Sequence, residues 1–430
     1  MHIGINAQLL SYSQNYRNGG ISRHIRSLLT GLAEWLGKQA SGRETLRCAQ
    51  GDKGGGDKGG YEFTVFVNGQ DVVERLGAEH PQMGYVAVPW PESRPTSRVM
   101  WEQLRLPSLV RKLHIDVLHS PANVLPELLP GTCAGIVTLH DLGFLRYPDV
   151  LTRAKRLYHR SFTMRSLQRA TMIITVSEST RQDAIKLAGI PSERVQTVYP
   201  CIDERFSNVI EEEEVASFRQ ERGLTGGFFL YLGTLEPRKN LIRLIEAYGR
   251  LRKEYGIGEK LVIAGGRGWL YDAILEKVQT LGLGSEVILP GYVADEERAL
   301  WYHAASAFVY PSLYEGFGLP VAEALACGTP VVTSNVSSLP EVARETLRCA
   351  QGDNRAGGDN LAGGCPGGAG ALTIDPGDVE AMAEAMYKAL TDGALRQDCQ
   401  AKAAVVAQRF SAQAMVEQTV SVYERAATLV

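Results

Sequence analysis

A chain of 430 residues is too long for one ordinary hydrophobic core, so two or three domains are expected. Its formal net charge of −3 gives no general case for a nucleic-acid partner, and no apolar run approaches the length of a membrane span. The cysteines (Cys48, Cys133, Cys201, Cys327, Cys349, Cys365 and Cys399) are odd in number and scattered, with no CxxC pair, so reduced cytoplasmic thiols are expected and a structural zinc is not.

The opening residues, Met1-His2-Ile3-Gly4-Ile5-Asn6, lack a basic region followed by an apolar stretch and read as a first strand rather than a secretory signal. Strand-like segments follow at residues 63–67, 117–119, 136–140, 172–176 and 195–199. Helical periodicity fills residues 21–36, 104–113, 154–168 and 178–187. The second half repeats the rhythm, with strands at 228–232, 261–264, 287–289, 307–310, 331–333 and 372–374. Its helices are expected at 241–255, 270–281, 295–305 and 379–390. Continuous Val/Ile/Leu strands alternating with helices indicate parallel sheets covered on both faces. Two such sets make two doubly wound domains.

The acidic run Glu211-Glu212-Glu213-Glu214, punctuated by Gly223, Gly226 and Gly227, places the boundary within residues 203–227. The expected division is 1–205, 206–410 and a last helix in 411–430. That helix carries Val416, Val420 and Tyr423 at helical spacing and is a candidate to pack back on the first domain.

Residues 43–52, Arg-Glu-Thr-Leu-Arg-Cys-Ala-Gln-Gly-Asp, recur unchanged at 344–353, and each copy leads into Gly/Asp-rich text. A structural repeat would recur at a regular period in matching contexts. These copies do not, so residues 42–60 and 344–368 read as insertions in surface loops, which tolerate added length at low entropic cost.

Five stretches carry candidate chemistry. Asn18-Gly19-Gly20-Ile21 opens the first helix, where a Gly pair lets backbone approach a ligand; a plain flexible turn is the alternative. It is not GxGxxG, which disfavours a dehydrogenase, and no GxxxxGK[ST] run supports a P-loop. His140-Asp141 stands at the end of a strand, where open α/β sheets place ligands, although a lone His is more often structural. Residues 151–170 hold Arg153, Lys155, Arg156, Arg160, Arg165 and Arg169 without Asp or Glu. They suit an anionic membrane surface or a lipid-diphosphate acceptor, or simply form a solvated helix face.

Gly233-Thr234-Leu235-Glu236-Pro237-Arg238-Lys239-Asn240 follows the first strand of the second half, with Asn240 as candidate N-cap. Two cations before a helix N-terminus oppose its dipole unless an anion sits between, and a diphosphate suits Arg and Lys together. A solvated basic loop is the alternative. Finally, Pro311-Ser312-Leu313-Tyr314-Glu315-Gly316-Phe317-Gly318-Leu319-Pro320 turns a strand into a helix that carries Glu323. Backbone donors beside the carboxylates of Glu315 and Glu323 suit a polyhydroxyl ligand; two solvated glutamates on a tight turn are the alternative.

Together these segments resemble the retaining glycosyltransferases of family 4. Glu315-Gly316-Phe317-Gly318-Leu319-Pro320 with Glu323 looks like that family's E-x7-E motif. The 233–240 loop is similar to its donor-phosphate loop, Asn18-Gly19-Gly20-Ile21 resembles its N-terminal glycine loop, and His140-Asp141-Leu142 its interdomain histidine. The resemblance covers nearly the whole chain outside the two insertions. It implies a GT-B fold, two Rossmann-like doubly wound domains facing a central cleft.

It further implies a retaining, metal-independent hexosyltransferase acting in polysaccharide or cell-envelope biosynthesis, with no cofactor. A nucleotide-diphosphate sugar (GDP-mannose as first choice, or a UDP-sugar) is held mainly by the second domain. A glycan or lipid-linked acceptor is held mainly by the first. Arg238 and Lys239, with the Gly20 amide, would hold the diphosphate, and His140 would contact the donor sugar. Glu315 and the amides of Phe317, Gly318 and Leu319 would orient that sugar, and Glu323 would accept hydrogen bonds from the ribose. The implied location is cytoplasmic, with peripheral contact on the inner face of the membrane through residues 151–170. Two alternatives stay open: a catalytically impaired nucleotide-sugar-binding protein and a sugar-nucleotide epimerase of similar fold.

Overall fold

The computed structural model describes residues 1–12, 19–50, 60–88, 95–147, 159–266, 271–343 and 371–430. Asn18, residues 151–158 of the basic stretch and the second insertion lie outside the described residues. The chain forms two compact units, Met1–Cys201 with Ala412–Val430, and Ile202–Ser411.

The first unit holds seven strands: β1 (His2–Asn6), β2 (Glu62–Asn68), β3 (Gly84–Val88), β4 (Val117–Ser120), β5 (Ala134–Leu139), β6 (Met172–Thr175) and β7 (Val195–Thr197). Their order is β3-β2-β1-β4-β5-β6-β7, and every pairing is parallel. Side chains alternate between two cores, as the two-residue period of a strand requires. Ile3, Ile5, Phe63, Val65 and Val67 meet Leu28, Leu29 and Leu32 of the helix Gly20–Gln50. Phe66, Leu118, Val137, Leu139 and Ile173 meet Trp101, Leu106 and Leu167 on the opposite face. Both faces are therefore apolar, which explains the unbroken strand runs in the sequence.

The last helix, Ala412–Ala427, packs Met415, Val416, Val420 and Tyr423 into the first of these cores. The Tyr423 hydroxyl lies 2.7 Å from Nδ1 of the buried His119 on β4. The C-terminal helix is thus part of the first unit.

The second unit holds β8 (Phe228–Leu232), β9 (Lys260–Ala264), β10 (Val287–Gly291), β11 (Ala307–Tyr310), β12 (Val331–Ser334) and β13 (Ala371–Ile374). Their order is β10-β9-β8-β11-β12-β13, again all parallel. In each sheet the strand order reverses at one place, between β1 and β4 and between β8 and β11. Connections leave such a pair in opposite directions, which opens a crevice at their carboxyl ends. Two doubly wound parallel sheets are what the GT-B expectation requires.

Several local expectations are corrected. The units divide at Cys201 and Ile202, just ahead of the expected 203–227, and Glu212, Glu213 and Glu214 form the first turn of a helix, Glu212–Glu221, where the helix dipole favours carboxylates. The first helix continues to Gln50, so residues 43–50 of the first repeat copy are helical rather than loop. The expected helix 104–113 is two, Pro95–Leu104 and Leu106–Lys112, with Pro107 in the first turn of the second. Asn240 does not cap its helix through its side chain. It sits in the left-handed region at φ 60°, and its amide donates to the Pro376 carbonyl at 2.7 Å.

Candidate active site

The residues singled out in the second unit collect at the carboxyl ends of β8 and β11. These strands are neighbours in the sheet, although more than seventy residues separate them in sequence. After β8 the chain turns through Pro237–Lys239 into the helix Leu241–Tyr255. After β11 it turns through residues 311–318 into the helix Leu319–Ala326. The Leu313 amide donates to the Arg238 carbonyl at 2.9 Å, and the Arg238 guanidinium donates to the Tyr314 carbonyl at 2.6 Å. The two loops are thereby tied together.

That tie places Glu315 between both cations. Its Oε2 lies 2.8 Å from Arg238 Nη1 and its Oε1 2.5 Å from Lys239 Nζ. Lys239 also donates to the Tyr310 hydroxyl at 2.7 Å, and Arg238 forms a second ion pair with Glu236 at 2.6 Å. Burial opposes ionisation of Glu315, but Arg238 and then Lys239 outweigh it and hold the carboxyl down at about 2. Lys239 is pushed down by burial and by Arg238, while Glu315 pulls it back up. Arg238, Lys239, Glu236 and Glu315 sum to zero formal charge, and the carboxylates hold both cations in fixed orientations.

Glycines let the loops approach. Gly318 has φ 100°, and a Cβ there would lie 2.7 Å from Leu339 Cδ2. Gly265, after β9, has φ 151°, and a Cβ there would lie 1.8 Å from the Gly233 carbonyl oxygen. Ser337 and Ser338 lock the loop after β11: the Glu315 amide donates to Ser337 Oγ, and Ser338 Oγ donates to the carbonyls of Glu315 and Phe317. The Phe317 ring packs edge-on against Phe410 with centroids 5.2 Å apart. Its side chain is a structural anchor, which leaves the backbone of Phe317, Gly318 and Leu319 as the part available for a ligand role.

Glu323 is on the helix that begins at Leu319, but its carboxylate belongs to a different cluster. Its Oε2 accepts from the Arg298 guanidinium and from the Tyr302 hydroxyl, the latter at 2.8 Å. All three residues are buried. Burial raises the Glu323 carboxyl above its ordinary range, against the opposing pull of Arg298. Sequence reasoning missed Arg298 and Tyr302. Their spacing of one helical turn on an otherwise apolar face was the available signal.

In the first unit, Gly20 is the first residue of its helix, and among the described residues a Cβ there would meet nothing within 4 Å. His24, one turn further on, sets its ring perpendicular to that of His140, with centroids 5.2 Å apart. This contact ties His140 to the helix that Gly20 opens. His140 follows β5, and its Nε2 lies 3.0 Å from the Pro121 carbonyl, so Nε2 carries the proton. Burial lowers the pKa values of both rings, His24 strongly, so they are neutral at physiological pH. Asp141 Oδ1 accepts from the Gly143 amide at 2.9 Å and starts the turn that follows.

Of the basic stretch, Arg160, Arg165 and Arg169 are exposed, and Arg165 pairs with Glu127 at 3.1 Å. Among the described residues no helix is long and apolar enough to cross a membrane, and no group of three or more His, Cys, Asp or Glu residues is arranged to hold a metal ion.

Comparison with known proteins matches residues 213–354 to the family described as Glycosyl transferases group 1 and residues 56–206 to Glycosyltransferase Family 4. The Escherichia coli O-antigen chain mannosyltransferase B is 32% identical over 308 residues, which span 72% of this chain and 74% of that protein. The Escherichia coli serotype-specific mannosyltransferase WbdA is 32% identical over 258 residues, 59% of this chain but 29% of that longer protein. Among solved structures, Anabaena HepE, crystallised with UDP and glucose, superposes with a TM-score of 0.65 at 16% identity, covering 99% of this chain and 100% of that one. At that identity the likeness concerns the fold.

Proposed function

The chain belongs to glycosyltransferase family 4 and has the GT-B fold, and from that premise we propose that it transfers mannose, with retention of anomeric configuration, to a glycan or lipid-linked acceptor in polysaccharide assembly. GDP-mannose is the first candidate donor and a UDP-sugar the second. The choice of mannose is supported by the likeness to O-antigen chain mannosyltransferase B. Glycosyl transfer itself follows from family membership.

The observation that carries the mechanism is the convergence of Arg238 and Lys239 on Glu315 at the switch in strand order of the second sheet. Breaking a sugar–phosphate bond builds negative charge on the departing diphosphate and positive charge on the sugar. Cations fixed before the reaction stabilise the first without a metal ion, because no reorganisation is needed as charge develops. Arg238 offers a planar fork and Lys239 a point charge, a pairing suited to two phosphates.

Glu315, held ionised between them, presents a carboxylate edge that orients the sugar together with the backbone of Phe317, Gly318 and Leu319. Glu323 accepts the ribose hydroxyls. The acceptor hydroxyl attacks on the face that the diphosphate leaves, and the departing phosphate oxygen takes its proton. Glu315 is therefore a positioning group rather than a nucleophile. The exposed Arg160 and Arg169 support peripheral contact with an anionic membrane surface.

Incubation with GDP-mannose, GDP-glucose, UDP-glucose and UDP-galactose, with release of nucleoside diphosphate as the readout, tests the donor assignment. GDP-mannose should release GDP fastest when a mannose-terminated acceptor is present. An α-linked product from the α-linked donor supports retention; a β-linked product rules it out. Failure of all four sugars to release nucleotide removes the proposed donor class.

A further inference from the structure

Arg298 is an unusual residue to find where it lies. Only 4% of its surface is exposed, on a helix whose neighbouring residues Ala299, Trp301 and Tyr302 are core. The guanidinium lies 5.6 Å from the centre of the Phe206 ring, its Nη1 is 3.7 Å from Asp295 Oδ1, and its Nε has no hydrogen-bond partner among the described residues. Burying a guanidinium with an unmatched donor costs folding free energy, and an apolar side chain of similar volume would pack there more cheaply. The cost points to a task other than packing.

The task is visible in the partner. Arg298 Nη2 and the Tyr302 hydroxyl converge on one oxygen, Oε2 of Glu323, from positions one helical turn apart. Tyr302 is itself immobilised: its ring is set edge-on to Phe308 at 5.2 Å, and its carbonyl accepts from Thr329 Oγ1 at 2.8 Å. A carboxylate gripped by two donors on a packed helix has one rotamer. Burial alone favours the neutral acid, whose proton would turn Glu323 into a donor, and the adjacent guanidinium opposes that change.

We propose that Arg298, assisted by Tyr302, is a positioning residue of the donor site that keeps Glu323 an aligned hydrogen-bond acceptor and so selects ribonucleotide donors over their 2′-deoxy counterparts. The inference rests on the reading that Glu323 receives the ribose hydroxyls. A ribose diol can donate to a fixed carboxylate, whereas a deoxyribose leaves part of a buried charge unmatched. Discrimination against a missing hydroxyl comes from that unmatched group. Its size therefore depends on how firmly the carboxylate is held.

The test is the ratio of affinities for GDP over 2′-deoxy-GDP, and for UDP over 2′-deoxy-UDP, by titration calorimetry. The proteins are the full chain and its Arg298→Leu, Arg298→Lys, Tyr302→Phe and Glu323→Gln variants. The unmodified chain should prefer the ribonucleotide of its cognate base by about 10- to 100-fold, the worth of one hydrogen bond to a charged group. Glu323→Gln should reduce that preference to a few-fold. Arg298→Leu should reduce it nearly as far, and Arg298→Lys and Tyr302→Phe should fall between. Affinity for the deoxynucleotide should stay within about twofold throughout, since the lost term is specific to the hydroxyl.

If Arg298→Leu does not fold, the Lys and Phe variants carry the comparison, because each retains most of the packing. A role confined to stability would lower the melting temperature of the Arg298 and Tyr302 variants and leave their ratios at the unmodified value, which overturns the proposal. An unmodified ratio in Glu323→Gln overturns the ribose reading itself, and the inference with it. Loss of preference in Glu323→Gln alone overturns only the role given to Arg298.

Discussion

Lys239 and Glu315 meet at 2.5 Å with both side chains buried, one from the turn after β8 and the other from the turn after β11. Two segments far apart in sequence thus share one charge-bearing contact at the switch in strand order. Arg238 completes it from the side, at 2.8 Å from the other carboxylate oxygen. The expectations that follow concern this contact and the loops that hold it.

Replacing Lys239 by Ala should lower turnover at least about tenfold, because one charged contact to a leaving group is worth more than about 1.4 kcal/mol. The fold should persist, since Glu315 keeps Arg238. Steady-state release of nucleoside diphosphate measures the effect. Near-normal turnover would remove Lys239 from the mechanism.

Glu315 makes stability depend on acid pH with a definite sign. Its carboxyl is held at about 2 against an ordinary 4.5, so the native state binds this proton less readily than the unfolded state. Its contribution is complete above about pH 5 and is lost as pH falls toward 2, on the order of 3 kcal/mol in all. The stability gap between the unmodified chain and Glu315→Gln, followed by urea unfolding from pH 7 to pH 3, should therefore stay level down to about pH 5 and narrow below it. A gap that stays constant with pH would mean that the ion pair does not depress Glu315.

Gly318→Ala combines a left-handed backbone with a Cβ placed 2.7 Å from Leu339 Cδ2. Strain of this kind costs of order 1–3 kcal/mol before the clash is counted. The variant should melt several degrees lower and bind donor more weakly, because the loop between Glu315 and the following helix must shift. An unchanged melting temperature by scanning calorimetry would show that the turn has other conformations of equal energy.

The first insertion should be dispensable. The helix Gly20–Gln50 buries Ile25, Leu28, Leu29, Leu32 and Ala33 in its first half, and β2 pairs with β1 from Glu62 onward. Replacing residues 43–59 with a short Gly/Ser linker leaves both groups in place. Melting temperature and turnover should match those of the full chain, and loss of either would give the insertion a structural or ligand role.

The strands at this site were legible because buried parallel strands are written as unbroken apolar runs. Phe228–Leu232 and Ala307–Tyr310 are bounded by Gly and Pro and stand where they were expected. The edge strand Gly84–Val88 was missed, since Tyr85, Val86 and Ala87 are only half-buried and make a weak pattern. Arg298 and His24 were missed for a different reason. Each sits inside a helical period and takes its meaning from a partner supplied by another element, Glu323 in one case and His140 in the other. A linear pattern carries residue type and spacing but not that distance. Asn240 shows the converse: a good capping residue by type whose amide is taken by Pro376.

Calorimetric titration of GDP and UDP into the full chain and into an Arg238→Ala/Lys239→Ala double variant tests the diphosphate assignment most directly, with guanosine and uridine as controls. One diphosphate should bind the full chain and bind the variant at least about 100-fold more weakly, the loss of two charged contacts, while the affinity for the matching nucleoside stays the same. Undiminished diphosphate binding by the variant, or an equal loss for nucleoside and diphosphate, would contradict the role given to these cations.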